Sequence, residues 1–258
     1  MDYLKYAFGF WKDLILGVVG IKPQTPTSAP ISIPSFVPSA ILLPIKSQIS
    51  VEPEKEIIKQ NLSGFNPNLI ISDKEFLDCS SMTEKQIQDF MASRGSFLTT
   101  YSIQDRLVSY WIYKYCNDLG LNPKVLITHI QKEQGSISRT TTPTKQIKLD
   151  YFLGVGAYNN PIRFDEKWRG MNNQISGAVQ VNIKRYNAAL SIKFPYAYTS
   201  EKPEFRKLQI QNAATVSLYK YTPFVGDMAL VIDGGKYGAP FGNLLFWKVW
   251  VKFFGAPV

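Results

Sequence analysis

One segment of the chain reads Asn122-Pro123-Lys124-Val125-Leu126-Ile127-Thr128-His129-Ile130-Gln131-Lys132-Glu133-Gln134-Gly135, and it carries the signals of both ends of a helix. Its first residue suits the N-cap, its proline suits the first helical position, and its final glycine suits the left-handed residue after the last turn. At about 100° per residue, Leu126, Ile130 and Glu133 fall on one face. The pattern therefore predicts a helix whose apolar side includes one carboxylate.

The carboxyl group of Glu133 is predicted to be a neutral acid. Burial beside leucine and isoleucine disfavours its charged form. Its position in the last turn, at the negative end of the helix dipole, disfavours an anion by about 0.3–1 kcal/mol. A carboxylic acid that keeps its proton near neutral pH is what a general acid in glycosidic bond cleavage requires. Two alternatives remain open: Glu133 is exposed at a frayed helix end, or it pairs with a Lys or Arg.

Length and charge limit the class of protein. A chain of 258 residues with 45% hydrophobic composition can bury one substantial core, so we expect one main domain plus an appendage. Residues 120–258 hold 18 Lys and Arg against 8 Asp and Glu, whereas residues 1–119 hold 11 against 12. The basic half implies an anionic partner such as nucleic acid, a membrane surface or a bacterial wall, with a solvated basic surface as the alternative. No zinc-finger spacing, glycine-rich phosphate loop or Lys/Arg run supports nucleic acid, and we expect none as a partner.

The cysteine and histidine counts argue against several kinds of catalysis. Cys79 and Cys116 are the only cysteines and His129 is the only histidine, so the chain has no set of soft ligands for zinc. We expect no metal and no cofactor. A disulfide between the two cysteines and a pair of free thiols both remain open. His129 is predicted to be a structural residue beside the apolar helix face, and a Ser/His/Asp or Cys/His mechanism would need it as the base.

The N-terminal quarter of the chain differs in composition from the rest. Residues 1–22 are mainly apolar but include Lys5, Lys12 and Asp13, which makes a membrane-spanning helix doubtful. Three interpretations fit: an interfacial helix or another membrane association through residues 3–21, an export signal, or a helix docked on the core. Between Lys22 and Ser47 the chain has prolines at 23, 26, 30, 34, 38 and 44 among Ser and Thr, and this pattern predicts that residues 23–69 form a Pro-rich extended linker.

Residues 70–258 are predicted to form the main domain, with a mainly α fold and long irregular loops. Thr83 and Gln86 form a capping box before a helix over about 83–93. A longer helix is expected to begin at Ser102 and to end at Gly120. Further helical patterns cover about 174–190, 209–221 and 242–254, and brief strand signals lie near Leu149–Phe152 and Ala229–Ile232. The stretch from Gly135 to about residue 172 lacks periodicity, and so long an irregular stretch in a compact domain is usually functional.

Several segments of this domain are similar to one group of bacterial wall-associated proteins. Ile130-Gln131-Lys132-Glu133-Gln134 is similar to a Leu-Gln-Lys-Glu-Gln segment of that group. The other similar segments are Ile71-Ser72-Asp73-Lys74-Glu75-Phe76-Leu77, Ser81-Met82-Thr83, Gln86-Ile87-Gln88-Asp89-Phe90 and Gly242-Asn243-Leu244-Leu245-Phe246-Trp247. The group has a lysozyme-like domain, and the chain resembles the lysozyme-like superfamily, in particular soluble lytic transglycosylases and goose-type lysozymes. The resemblance covers about residues 70–255 and implies a lysozyme-like helical domain.

The resemblance also implies roles for particular residues. Glu133 takes the position of the catalytic acid, and Gln134 stands where transglycosylases commonly have Ser. Gly154-Val155-Gly156-Ala157 corresponds to the Gly-Leu-Met-Gln loop of the family, with Gly177-Ala178-Val179-Gln180, inside a helical pattern, as the alternative. Leu218-Tyr219-Lys220-Tyr221-Thr222-Pro223 is similar to the late Ala-Tyr-Asn-Ala-Gly-Pro segment but lacks its Asn and Gly. Gln174 and Tyr186 match positions usual in the wall-associated group.

These correspondences lead to an expected substrate site. The candidate substrate-binding residues are Tyr158, Gly156, Gln174, Tyr219 and Tyr221. The tyrosines are candidates to stack on sugar rings or to orient the acid, although aromatic residues at helical spacing are more often part of a core.

The expected function is cleavage of the glycan strands of peptidoglycan. The family's chemistry implies that Glu133 protonates the leaving oxygen, after which either the 6-hydroxyl of the sugar attacks, as in a lytic transglycosylase, or water attacks, as in a hydrolase of the muramidase or glucosaminidase type. Asp150, Asp165 and Glu166 are the candidate second carboxylates for hydrolysis, or else solvated loop charges. We expect a monomeric enzyme of the cell envelope or the extracellular space, or a phage endolysin. The alternative is a non-catalytic module that binds the wall.

Overall fold

The computed structural model describes residues 64–159, 162–199, 207–226 and 242–257. The predictions for residues 1–22, for most of the Pro-rich linker and for a strand near Ala229–Ile232 lie outside these ranges. Eight α-helices lie within them, and we number them in chain order: α1 Asp73–Leu77, α2 Glu84–Ala92, α3 Val108–Leu119, α4 Pro123–Gln134, α5 Gln146–Asp150, α6 Met171–Ala189, α7 Ala213–Tyr221 and α8 Gly242–Phe254. The fold is mainly α, as the sequence predicts.

The strands form three separate two-stranded antiparallel hairpins. Their strands are β1 Ser102–Ile103 with β2 Arg106–Leu107, β3 Ala157–Asn159 with β4 Ile162–Phe164, and β5 Tyr196–Thr199 with β6 Lys207–Ile210. Tyr158 lies opposite Arg163 in the second hairpin, and Tyr198 lies opposite Leu208 in the third. Short 3-10 helices at Phe97–Thr99 and Glu166–Trp168 complete the regular structure of the described ranges.

Helix α4 is the central element of the core. Its end signals are confirmed: Asn122 accepts a hydrogen bond from the backbone N–H of Lys124, and Gly135 adopts φ 67°. Leu126 and Ile130 have no exposed surface. Helices α3, α6 and α8 all contact α4, and α6 also packs along α7. Because neighbours surround α4, a polar side chain at its C-terminal end must find its partners inside the protein.

Two of the helix boundaries predicted from sequence are wrong, for local reasons. The helix expected from Ser102 begins only at Val108, because Gln104 and Asp105 take positive φ values of 51° and 59° and turn the chain into the β1–β2 hairpin. The helix expected from about 209 begins at Ala213, because residues 207–210 pair with β5 and Asn212 caps the helix that follows.

Three other expectations have clear outcomes in the described residues. The capping box of α2 is confirmed, with both hydrogen bonds between Thr83 and Gln86 present. The strand expected near Leu149–Phe152 is wrong, because this segment lies at the end of α5 and in the turn after it. Both cysteines are free thiols, and burial raises the pKa of Cys116. None of the helices in these ranges combines the length and apolarity needed to cross a bilayer.

Candidate functional site

Glu133 lies in the last turn of α4 and is only 5% exposed. The prediction that it shares the buried face of Leu126 and Ile130 is confirmed. Its Oε1 accepts a hydrogen bond of 2.7 Å from Nζ of Lys132, and both side chains of this ion pair are 6% exposed. Of the two alternatives left open by the sequence, exposure is wrong and pairing with a lysine is observed.

Lys132 connects Glu133 to the segment that follows α7. Its Nζ also donates to Oγ1 of Thr222 at 2.7 Å. Asn243, in the first turn of α8, donates from Nδ2 to the carbonyl oxygens of Thr222 at 2.8 Å and Phe224 at 3.1 Å. Three segments that are far apart in sequence therefore meet at the C-terminal end of α4. In the described part of the chain, no donor hydrogen-bonds to Oε2 of Glu133, so one carboxylate oxygen is without a protein partner.

The ring of Tyr221 forms the next layer of this site. Its hydroxyl donates to the carbonyl oxygen of Leu153 at 2.8 Å, which ties the end of α7 to the loop after α5. Nζ of Lys132 lies 5.6 Å from the ring centroid, and Cζ of Arg185, from α6, lies 5.5 Å from it. Burial raises the pKa of Tyr221, the charge of Glu133 acts in the same direction, and Arg185 opposes both. Tyr221 is therefore a neutral phenol whose ring has two cations within 6 Å of its centroid.

His129 lies behind that ring, inside the core. It is 1% exposed, and its ring centroid is 4.3 Å from that of Tyr221 and 5.1 Å from that of Phe246. Burial lowers the pKa of His129 well below its usual range, and the charge of Lys132 lowers it further. Asn182 has the opposite effect, although its side chain completes no hydrogen bond to either ring nitrogen. His129 is therefore a neutral core residue, which matches its predicted structural role.

The two segments that correspond to the family's glycine loop both pack against Trp168. A Cβ atom on Gly156 would approach Cδ1 of Trp168 to 2.6 Å, and one on Gly177 would approach Cε3 of the same ring to 2.6 Å. Gly156 also has φ 74°, whereas Gly177 is inside α6. Both glycines are thus needed for close packing around Trp168. This packing explains their presence without a substrate, and the predicted substrate contact of Gly156 stays a prediction.

The other predicted substrate-binding residues occupy three different environments. Gln174 has no exposed surface; its side chain accepts hydrogen bonds from the N–H groups of Leu153 and Val155 and donates to the carbonyl oxygens of Val155 and Trp168. Of the three predicted tyrosines, Tyr219 is fully buried, Tyr158 is exposed and Tyr221 is half-buried. Since Gln174 and Tyr219 offer a ligand no surface in this conformation, only Tyr158 and Tyr221 are placed to touch one directly.

The remaining matched positions also have structural partners. The hydroxyl of Tyr219 donates to the carbonyl oxygen of Pro67 at 3.0 Å. Tyr186 is 6% exposed and stacks on Phe76 with ring centroids 5.5 Å apart. Gln134 donates from Nε2 to the carbonyl oxygen of Lys148 at 2.9 Å, which connects α4 to α5. These residues hold the helices around Glu133 in place.

The three candidate second carboxylates lie between the last residue of α5 and the start of α6, and each is hydrogen-bonded there. Asp150 accepts from Nε2 of Gln146 at 2.9 Å and from Nε of Arg169 at 3.0 Å. Glu166 accepts from Nη1 of Arg169 at 2.8 Å. Asp165 caps the 3-10 helix by accepting from the N–H of Lys167. Each carboxylate thus has a role in local structure. The hydrogen bond from Gln146, together with Arg169, lowers the pKa of Asp150, so this group is an anion near neutral pH.

Sequence reasoning missed Lys132, Thr222 and Arg185 as members of the site. Lys132 precedes the acid directly, so its proximity was visible in the sequence, but its bond to Thr222 spans 90 residues. Arg185 lies on a helix whose pattern shows no special feature at that position. Its position beside Tyr221 depends on how α6 packs on α7, and a single sequence does not encode that angle in any simple period.

Comparison of the chain with protein families, with curated proteins and with solved structures finds no match.

Proposed function

We propose that this protein cleaves the β-1,4-linked glycan strands of peptidoglycan, with a lysozyme-like domain in which Glu133 is the single general acid. The observation that carries the proposal is the meeting of three segments at Glu133. The segments are the end of α4, residues 218–223 at the end of α7 and the start of α8, joined through Lys132, Thr222 and Asn243. Each of them independently resembles a segment of the lysozyme-like group. If the three resemblances were due to chance, the segments would have no reason to lie next to one another beside Glu133.

The proposed reaction begins with proton transfer from Glu133 to the glycosidic oxygen as an oxocarbenium-like transition state forms. Oε2 is the oxygen available for this step, because Oε1 is bonded to Lys132. The carboxyl group must carry that proton on Oε2 before the step, while Nζ of Lys132 donates a hydrogen bond to Oε1 at 2.7 Å. Thr222 accepts from the same ammonium group and holds it in position. Lys132 is thus a positioning residue for the acid.

We further propose that the second step is attack by the sugar's own 6-hydroxyl, as in a lytic transglycosylase. An inverting hydrolase requires a second carboxylate about 6.5–9.5 Å from the acid to activate water. The three carboxylates considered for that role, Asp150, Asp165 and Glu166, are bonded to Arg169, Gln146 or the local backbone. Intramolecular attack needs only Glu133, which then takes the hydroxyl proton as a base. Because Asp150, Asp165 and Glu166 are all hydrogen-bonded elsewhere, the structure favours a transglycosylase over an inverting hydrolase.

Replacement of Glu133 by Gln tests the acid directly. The amide keeps the size and the oxygen that accepts from Lys132 but has no proton to give. We expect Glu133→Gln to lower the release of soluble muropeptides from purified peptidoglycan by about 10² to 10⁴. The control Glu84→Gln makes the same chemical change at an exposed position on α2 and should retain full activity. Equal release by Glu133→Gln and the wild-type protein would eliminate Glu133 as the acid.

Mass spectrometry of the wild-type digest tests the second step. Anhydro ends on the released fragments would support transglycosylation. Reducing ends would show hydrolysis instead, and their sugar would identify the bond that is cut. The second result would contradict the proposed intramolecular attack but not the role of Glu133.

A second candidate function is a non-catalytic module that binds peptidoglycan. The observation that favours it is the Lys132–Glu133 ion pair at 6% exposure, in which each charge gives the other a partner that a buried charge requires. This candidate predicts that the protein sediments with insoluble peptidoglycan without lowering turbidity or releasing soluble fragments. In that case Glu133→Gln would bind as well as the wild-type protein.

A further inference from the structure

Arg185 is a half-buried cation beside the ring of Tyr221, and it has no anionic partner among the described residues. It lies on α6 with Cζ 5.5 Å from the centroid of the Tyr221 ring. In the described ranges its guanidinium group forms neither an ion pair nor a hydrogen bond. Burial lowers the pKa of Arg185, so the surroundings disfavour its charge, and a guanidinium removed from water usually has a carboxylate or phosphate partner.

The charges around Tyr221 do not balance. Lys132 and Arg185 bring two positive charges near one ring, and Glu133 brings one negative charge, which is bonded to Lys132. His129 adds none, because its burial keeps it neutral. One positive charge therefore remains, and it belongs to Arg185. A low-dielectric environment strengthens the attraction of that charge for an incoming anion.

The site is also rigid. The hydroxyl of Tyr221 is held by the carbonyl oxygen of Leu153, and its ring rests on His129, which is fully enclosed. An arginine positioned by such a ring loses little conformational freedom when it binds a ligand. The planar guanidinium offers two parallel N–H donors, and a carboxylate accepts both of them in a bidentate pair. A carboxylate therefore fits the unused charge and the unused donors.

We propose that Arg185 binds a carboxylate carried by the glycan strand that Glu133 cleaves, so that the protein selects anionic over neutral β-1,4-glycans. This inference rests on the proposed function for the location of the strand. The carboxylate belongs either to a sugar of the strand itself or to a peptide attached to it, and both present the same group to the guanidinium. Arg185 is thus a specificity-determining residue, and the chemistry of bond cleavage stays with Glu133.

The test measures KM for the cleavage of three glycans by the wild-type protein and by two variants. The glycans are peptidoglycan with its peptides, peptidoglycan strands stripped of peptides but with free lactyl carboxylates, and neutral N-acetylglucosamine oligomers. The variants are Arg185→Gln and Arg185→Lys, with Lys184→Gln as the control because Lys184 is the exposed neighbour on the same helix. Loss of a charged hydrogen-bond pair corresponds to a factor of about 10 to 100 in affinity. We expect Arg185→Gln to raise KM by that factor on carboxylate-bearing glycans and to leave neutral oligomers unchanged. Arg185→Lys should restore part of the loss.

The pattern across glycans separates the sources of the carboxylate. A KM effect on both peptidoglycan forms identifies a carboxylate of the sugar, and an effect only on the form with peptides identifies a peptide carboxylate. Equal effects on charged and neutral glycans, or no effect of Arg185→Gln on any of them, would overturn the inference while leaving cleavage by Glu133 intact. If Arg185→Gln fails to fold in a thermal denaturation control, Arg185→Lys alone decides, because it keeps the charge but cannot form the bidentate pair.

Calorimetric binding distinguishes failure of this inference from failure of the proposed function. If the wild-type protein cleaves none of the glycans, the catalytic proposal is wrong. Binding of carboxylate-bearing strands that weakens in Arg185→Gln would then still support the anion site, now in a non-catalytic module. Absence of both cleavage and binding would contradict both proposals.

Discussion

Glu133 and Asp150 are both buried carboxylates with a cationic partner, but their bonding differs. Asp150 uses both oxygens, one for Gln146 and one for Arg169, and its backbone oxygen accepts from the N–H of Gly170. Glu133 uses one oxygen for Lys132, and no described residue donates to the other. Asp150 is 8% exposed and Glu133 is 5% exposed, so exposure alone does not distinguish the two carboxylates. The two carboxylates differ in the number of oxygens without a hydrogen-bond donor among the residues that the structure describes. Asp150 has none, which indicates a structural role, and Glu133 has one, which could contact a ligand.

The surroundings of the two carboxylates extend the contrast. Asp150 lies in a short-range network in which the side-chain partners are 4 and 19 residues away in sequence. The network of Glu133 includes Thr222, 90 residues from Lys132, and through it the start of α8. A local network can form wherever its segment folds, whereas a long-range one reports the arrangement of the whole domain.

The largest expected effect is a divergence in activity between matched variants of these two carboxylates. Glu133→Gln should lower the rate of muropeptide release by about 10² to 10⁴, the usual contribution of a general acid. Asp150→Asn should leave the rate within a factor of about 3 of the wild-type value at a temperature where it is folded, because its carboxylate contacts no reacting group in the proposal. Initial rates on the same peptidoglycan preparation measure both. A comparable fall in Asp150→Asn would make Asp150 the second carboxylate of a hydrolase and would remove the contrast.

The next effect concerns the connection between the two regions, which passes through Gln174. Gln174→Leu would leave the N–H groups of Leu153 and Val155 buried without acceptors, and Leu153 is the residue that holds the Tyr221 hydroxyl. Each such group costs about 1–3 kcal/mol, so we expect a loss of roughly 2–5 kcal/mol in the free energy of unfolding. Chemical denaturation measures it. Gln180→Leu, at an exposed position of the same helix, should change the value by less than about 0.5 kcal/mol. A small loss in Gln174→Leu would show that the two regions are independent.

The smallest effect separates the regions by pH. His129 has a folded pKa far below its unfolded value of about 6.5, so the unfolded chain binds a proton that the folded chain does not. Stability in the Glu133 region should therefore fall as pH drops below about 6.5, by up to about 1.4 kcal/mol per pH unit. The folded pKa of Asp150 is also lowered, so its contribution is present above its unfolded pKa of about 3.9 and is lost as pH falls through its folded pKa.

Two variants test which residue causes each part of the pH dependence. In thermal melts between pH 2 and 7, His129→Phe should flatten the decline that begins near pH 6.5 and leave the acid limb unchanged. Asp150→Asn should flatten only the limb below about pH 4. Asp89→Asn, at an exposed ion pair with Lys85 on α2, serves as the control and should alter neither limb substantially. A decline near pH 6.5 that persists in His129→Phe would show that another group titrates there.

The parts of this structure that could be predicted from sequence are those that depend on residues within about one helical turn. The caps of α2 and α4, the buried position of Glu133 and the core position of His129 all follow from spacing and short-range hydrogen bonds. The errors have the same scale. Gln104 and Asp105 take a left-handed backbone that few residues other than glycine, Asn and Asp adopt, and the helical spacing of the neighbouring apolar residues concealed this turn.

In the candidate site, the buried position of Glu133 was predictable and the residues around it were not. Of the residues predicted to bind substrate, Gln174 and Tyr219 are enclosed because α6 and α7 pack on each other, and Gly156 is set by the proximity of Trp168. Lys132 illustrates the limit. Its position next to Glu133 is visible in the sequence, but a lysine in the last turn of a helix would ordinarily extend into water.

The sequence by itself determined that α4 ends at Gly135 and that Glu133 points into the protein, because helix periodicity and capping act over three or four residues. Only the tertiary structure decided what the carboxylate meets there. The bond of Lys132 to Thr222, the position of Arg185 over Tyr221 and the bonds of Asn243 to Thr222 and Phe224 join helices from distant parts of the chain. Such contacts depend on the angles at which helices pack, and those angles arise from the fit of many side chains at once.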